Sequence, residues 1–289
     1  MDAGGNDQHG TTPGRVPRPL GAALASLDVV GRKAVAIVAH IGDVLFLLVE
    51  ALRWICRALT RKKVRLGRVA IVSQMVRVGV RSIFIISVVS GSVGLILALQ
   101  LAPPLDEFGQ REAVANIVGV AVLRELGPLI ASIVLTGFAG AAIAAEIGTM
   151  VVGEEIEALE AHALNPIRFL VVPRVIATVV SMTCLGVISD IIAVASSMLI
   201  AVTVLDIPAT TFWQNLLDQI KMVDFTTGII KSAVFGFLIG LIACANGLKV
   251  SGGAAGVGRA TTATVVECIV SIIIADLLFT AVFYALDLV

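Results

Sequence analysis

The sequence predicts an all-α integral membrane protein: an N-terminal interfacial amphipathic helix, then five transmembrane helices with a short cytoplasmic helix between the second and third. Three observations carry this reading. Of 289 residues, 58% are hydrophobic and only 15% charged, against about 25% charged in soluble domains, so one globular core cannot hide the apolar surface. Nearly charge-free runs of about 20 residues recur, each long enough to cross about 30 Å of hydrocarbon. The cations are also lopsided, with 13 of the 21 Lys and Arg at or before Arg81, the bias of a cytoplasmic N-terminal region.

Residues 1–20 are rich in Gly, Pro and Thr and lack an apolar run followed by a cleavage site. They read as a disordered tail without a signal peptide. Residues 21–80 read as an interfacial helix and a basic connector. Between Asp28 and Arg57 the polar residues Asp28, Arg32, Lys33, His40, Asp43, Glu50, Arg53 and Arg57 fall almost entirely within one third of a helical wheel. Spanning would bury all of these groups at several kcal/mol each, so the helix is expected to lie in the membrane surface, apolar side down. Arg61, Lys62, Lys63, Arg65 and Arg68 follow, suited to anionic headgroups.

Residues 81–289 read as the transmembrane domain. Ser82 to Ala102 is 21 residues without a charge, the expected first span, followed by an outer acidic stretch from Pro103 to Glu112. A long helical segment from Ala113 to Met150 returns. Val151 to Asn165, with Glu154, Glu155, Glu157 and Glu160, is too polar for lipid and belongs on the cytoplasmic face. Val175 to Leu205 crosses outward, Asp206 to Asp224 with Phe212 and Trp213 is an outer interfacial segment, and Phe225 to Leu248 crosses back. Lys249 to Thr262 reads as a Gly-rich cytoplasmic loop before the last span, Val265 to Leu286, which carries Glu267 and Asp276. Five crossings place the N-terminus in the cytoplasm and the C-terminus outside. Small residues at Gly91, Gly94, Gly137, Gly140, Ala144, Gly236 and Gly240 permit close helix approach.

Catalytic chemistry is not suggested. Cys56, Cys184, Cys244 and Cys268 are far apart among apolar neighbours and form neither zinc spacing nor a disulfide framework. The three histidines, His9, His40 and His162, are scattered. Gly252 to Gly258 lacks the Lys-Ser/Thr of a phosphate-binding loop. No metal and no cofactor is expected in this chain, and nucleic acid is not an expected partner.

Leu123-Arg124-Glu125-Leu126-Gly127-Pro128, then Ala139-Gly140-Ala141-Ala142-Ile143-Ala144-Ala145-Glu146-Ile147-Gly148-Thr149-Met150, then Glu154-Glu155-Ile156-Glu157-Ala158-Leu159, stand in order with Asn165-Pro166, Val171-Val172-Pro173-Arg174 and Gly252 to Thr262. Together they closely resemble the MlaE/YrbE permease family, from about Val76 to the C-terminus. The resemblance implies a membrane subunit of an ABC transporter that moves phospholipid or another lipid, in the bacterial inner membrane. The implied partners are a second permease protomer (most simply a homodimer), a cytoplasmic ATPase that binds the ATP, and a periplasmic MCE-domain protein. By the same resemblance, Glu154, Glu155, Ile156, Glu157, Ala158 and Leu159 form the coupling helix to the ATPase, and Arg124 and Glu125 lie near the lipid cavity as recognition or gating residues. An ion pair that only fixes helix packing is the competing reading of those two. Lys231 and Asp276 are expected to form a structural intramembrane pair, with a role in substrate handling as the competing reading, while Asp190 and Glu267 receive no role. Two departures stand out: Phe138 occupies a position where the family commonly carries Arg, and Glu154-Glu155 replaces Glu-Gln.

Two other classes stay open at this point. Asp190, Glu267 and Asp276 could relay ions in a secondary transporter, although no inverted repeat or pair of broken helices is visible. A non-transporting membrane anchor for an MCE assembly is the other.

Overall fold

The computed structural model describes residues 18–60 and 68–286. The expected tail before Arg18 and the connector cations Arg61, Lys62, Lys63 and Arg65 lie outside them. The described residues are overwhelmingly helical and contain no strand, as a lipid environment requires of a non-barrel chain. Five stretches are long and apolar enough to cross a membrane: Val69–Glu107, Arg111–Val152, Ile167–Thr203, Met222–Leu248 and Gly253–Ala285. The chain is an all-α, multi-pass membrane protein.

The chain divides after Leu45 into two units. In the first, helix α1 (Arg18–Thr60) exposes Val35, Val38, Ile41 and Leu45, an apolar stripe at helical spacing that calls for lipid cover. Within the second unit α1 continues with Leu47 and Ala51 buried and with Phe46, Val49 and Leu52 exposed.

The rest of the second unit holds the spans. Helices α2 (Arg68–Val78) and α3 (Ile83–Glu107), joined by a 3₁₀ turn, make the first. The acidic loop expected from residue 103 is therefore helical at its start, with Pro103 and Pro104 inside α3. Proline already holds a helical φ, but each one removes a backbone hydrogen bond and crowds the carbonyl four residues back. That cost is offset because Leu101, Ala102 and Leu105 still pack on the core around them. The second span joins α4 (Val114–Ala121), α5 (Gly127–Leu135) and α6 (Ala141–Val152) through π turns at Val122–Leu126 and Thr136–Gly140. Short helix α7 (Glu155–Ala161) follows. Asn165 Oδ1 then accepts the Arg168 N–H at 3.1 Å and Pro166 takes the first helical position. This is the Asn-cap, Pro-first start of a helix, and a π turn at Ile167–Val171 leads into α8 (Val172–Thr203). Helix α9 (Ala209–Gln219) buries Phe212 and leaves Trp213 exposed.

Helix α10 (Met222–Leu248) is the innermost, with 67% of its most apolar stretch buried, against 11% for α11 (Gly253–Ala285). The Gly-rich loop expected at 249–262 is much shorter. The chain reverses at Gly252 and Gly253, whose φ values of 84° and 68° suit glycine alone, and then turns helical at once through alanines and valine. Close packing is real at some of the expected small residues. A Cβ on Gly94 would stand 2.1 Å from the Ala193 carbonyl oxygen, and one on Gly236 2.7 Å from that of Thr178, whereas Gly137 has nothing within 4 Å.

Candidate functional site

The π turn Val122–Leu126 carries both Arg124 and Glu125. A π turn spreads five residues over one turn and recurs at functional sites. Here the two adjacent charges take different partners instead of pairing with each other. Arg124 Nε donates to Asp224 Oδ1 in the first turn of α10. Asp224 is fully buried and also accepts the Lys221 N–H at 2.8 Å, which caps α10. Glu125 Oε2 lies 2.6 Å from Lys231 Nζ, and Lys231 in turn lies 2.9 Å from Asp276 Oδ1 on α11. The Thr280 hydroxyl accepts from Lys231 at 3.2 Å and donates to Glu125 Oε1 at 2.8 Å.

Two ion-pair groups, Arg124 with Asp224 and Lys231 with Glu125 and Asp276, thus join three separate segments of chain at this π turn. Lys231 is 1% exposed and could not stay charged in lipid without such neighbours. Glu125 keeps an accessible edge, with 36% of its side chain exposed, and Arg124 keeps 20%. The site therefore has a closed end at Lys231 and an open end at Arg124 and Glu125.

A second cluster forms where the first three spans meet. Glu146 on α6 lies 2.8 Å from Arg77 and 3.3 Å from Arg174. Beside it is a cavity of about 310 Å³ lined by Gln74, Arg77, Arg81, Phe138 and Glu146 among others. Phe138, on the π turn Thr136–Gly140, is exposed and lines the same cavity as Arg77 and Arg81.

The acidic helix α7 packs on the end of α6 and presents Glu154, Glu155, Glu157 and Ala158 outward, with Ile156 and Leu159 half-buried. Left-handed backbone at Glu154 (φ 58°) and Ala163 (φ 57°) brackets it. Such conformations cost roughly 1–3 kcal/mol when glycine is absent; backbone hydrogen bonds close both turns, Glu154 N–H to the Val151 carbonyl at 3.1 Å and Leu164 N–H to the Leu159 carbonyl at 3.0 Å. Elsewhere in the bundle Asn246 donates to Glu267 at 2.7 Å. Asp190 is buried with its Oδ1 close against Gly127 and without a hydrogen-bond partner. Among the described residues no group of three or more His, Cys, Asp or Glu could hold a metal.

Sequence reasoning singled out Arg124, Glu125, Lys231 and Asp276 without seeing that Glu125 and Lys231 join. It missed Asp224, which it left at the end of an outer segment. The available signal was Lys221-Met222-Val223-Asp224 before an apolar run, an acid at the third helical position. It also missed Thr280, and it assigned no role to Glu146, Arg77 or Arg174.

Comparison with known proteins adds identity to this geometry. The family model described as Permease MlaE matches residues 71–282. A "Probable ABC transporter permease protein" of Rickettsia prowazekii is 38% identical over 214 residues, covering 74% of this chain and 83% of that one. A protein of the same description from Synechocystis is 34% identical over 212 residues, covering 73% and 81%. The chloroplastic protein TRIGALACTOSYLDIACYLGLYCEROL 1 of Arabidopsis thaliana is 34% identical over 211 residues, covering 73% and 60%.

Proposed function

The chain belongs to the MlaE permease family, and from that premise we propose that it is the membrane subunit of an ATP-driven lipid transporter, with phospholipid the expected cargo. It works as a homodimer in the bacterial inner membrane, N-terminus in the cytoplasm and C-terminus in the periplasm. A cytoplasmic ABC ATPase supplies ATP hydrolysis and a periplasmic MCE-domain protein receives or delivers the lipid. The Arabidopsis relative carries a glycolipid, trigalactosyldiacylglycerol, in its name, which supports a lipid cargo.

The observation that carries this reading is α7. A helix of this size with carboxylates outward and Ile156 and Leu159 at its base has the chemistry to dock in a basic, apolar-floored groove of a motor subunit. Force on α7 passes directly into α6 on one side and, through Asn165, into the third span on the other. Along the second span it meets the π turns at 136–140 and 122–126, which are natural points of give. The second of these holds Arg124 and Glu125. A zwitterionic headgroup can then exchange with their present partners, phosphate replacing Asp224 at Arg124 and an ammonium meeting Glu125.

Reconstituting the permease with its ATPase in vesicles and following labelled lipid tests this. Reversing two charges, Glu155→Lys with Glu157→Lys, is expected to abolish ATP-driven lipid movement and ATPase co-purification while the permease stays folded. Undiminished ATP-driven flux in that variant removes α7 from the coupling. The Asp190 Oδ1, buried without a hydrogen-bond partner, favours a second reading, an ion-coupled transporter; flux that follows an imposed proton or sodium gradient without ATP would establish it.

A further inference from the structure

Trp54, on the second-unit part of α1, lies against two guanidinium groups. Arg57 Cζ and Arg168 Cζ each stand 5.4 Å from its ring centroid, and Arg168 also lies 5.3 Å from the ring of Phe169. Arg57 follows Trp54 by one helical turn, whereas Arg168 comes from the π turn that opens the third span. Two separate elements thus bring cations onto one indole, where the ring faces partly offset their repulsion. Beside them Arg53, Arg57, Glu50 and Asn165 line a cavity of about 310 Å³ whose other lip is Phe46 and Val49.

The charges around this cavity do not balance. Glu50 is the one carboxylate in its lining, and it is engaged, at 3.5 Å, by Asn165 Nδ2. Among the described residues no ion pair involves Arg53, Arg57 or Arg168. Arg53 and Arg57 line the cavity and Arg168 joins Arg57 on the Trp54 ring, three cations against the single charge of Glu50; that excess suits an anion, and phosphate oxygens match the paired guanidinium donors. Free phosphate would leave the apolar lip unused. Phe46 and Val49 are 69% and 50% exposed, next to the cationic pocket, so a phosphate that carries acyl chains satisfies both halves.

The geometry points to a binding site for the phosphate of an anionic phospholipid, held by Arg53, Arg57 and Arg168 around Trp54, with its acyl chains over Phe46 and Val49. Bound there, the lipid ties α1 to the first turn of the third span, directly after α7. It is a resident lipid, distinct from any lipid met by Arg124 and Glu125. Only its assignment to the cytoplasmic leaflet rests on the topology proposed above, and binding in detergent, where sidedness plays no part, is tested independently of that topology.

The test uses the full chain with Trp213→Phe, which leaves Trp54 as the only indole since the sequence has two tryptophans. Short-chain phosphatidylglycerol, phosphatidylcholine and inorganic phosphate are titrated separately and Trp54 emission is read. Phosphatidylglycerol is expected to give a saturable change and the other two none. Each cation contributes a factor of about five near an anionic lipid surface, so Arg57→Gln with Arg168→Gln is expected to weaken binding about 30-fold. The exposed Arg53→Gln is expected to weaken it about fivefold, and it provides the answer should the double variant lose its helical circular dichroism. No saturable change with phosphatidylglycerol, an equal response to phosphatidylcholine or to inorganic phosphate, or undiminished binding in a folded Arg variant overturns the site.

Discussion

Lys231 is the cation on which the intramembrane network turns, and replacing it by Met removes the charge while keeping the length and most of the volume. In the native chain its ammonium faces Glu125 at 2.6 Å and Asp276 at 2.9 Å. At an effective dielectric constant of about 20 each contact has a gross Coulomb energy of about 6 kcal/mol. Desolvation of all three groups and repulsion between the two acids oppose most of this. What remains measurable is the cost of leaving the half-buried Asp276 and the partly exposed Glu125 without their cation, which solvent screening brings below that of a fully buried pair, to about 1–3 kcal/mol. Lys231→Met is therefore expected to lower stability by that amount, read as the midpoint of thermal or SDS-induced unfolding in detergent. The triple variant Lys231→Met, Glu125→Gln, Asp276→Asn carries no unpaired charge and is expected to recover most of the loss, because replacing a whole buried ionic group is often close to neutral. Lipid movement separates structure from function: the stable triple variant is expected to transport poorly if Glu125 handles the headgroup. A Lys231→Met protein as stable as the native one refutes the network, and full transport by the triple variant removes Glu125 from the mechanism.

Arg124→Leu strands the fully buried Asp224 and is expected to cost about 3–5 kcal/mol, with Arg124→Lys recovering part of it; an unchanged unfolding midpoint contradicts this. Gly94→Val places a branched side chain where even a Cβ would sit 2.1 Å from a backbone oxygen of α8. It is expected to lose at least about 1–3 kcal/mol through forced separation of α3 and α8. Gly137→Ala, in open space, is expected to be neutral or to gain up to about 1 kcal/mol, so equal effects at the two positions argue against the packing. Glu160→Cys in a background without the native cysteines is expected to react with an impermeant maleimide only from the side where the ATPase docks. Labelling solely from the opposite side ends the motor-docking account.

Much of this architecture was legible in the linear order of residues. Five spans, the amphipathic α1 and the acidic α7 follow from short-range hydrophobic content, because each segment's partition between water and lipid is nearly independent of its neighbours. Arg124 and Glu125 stood out through a family motif, and Lys231 and Asp276 as charges within apolar spans. The extent of helices was less legible where local signals compete with packing: Pro103 and Pro104 read as a break, yet α3 runs through them, and the glycines at 252–253 read as loop, yet they only turn the chain into α11. Only the folded chain decided who meets whom. Arg124 finds Asp224 across 100 residues of sequence, Glu125 reaches Lys231 rather than its neighbour, and Arg168 comes to rest on Trp54. Charge pairing depends on distances between segments far apart in sequence, and those distances are set by helix packing, by the π turns and by close contacts such as Gly94 on Ala193.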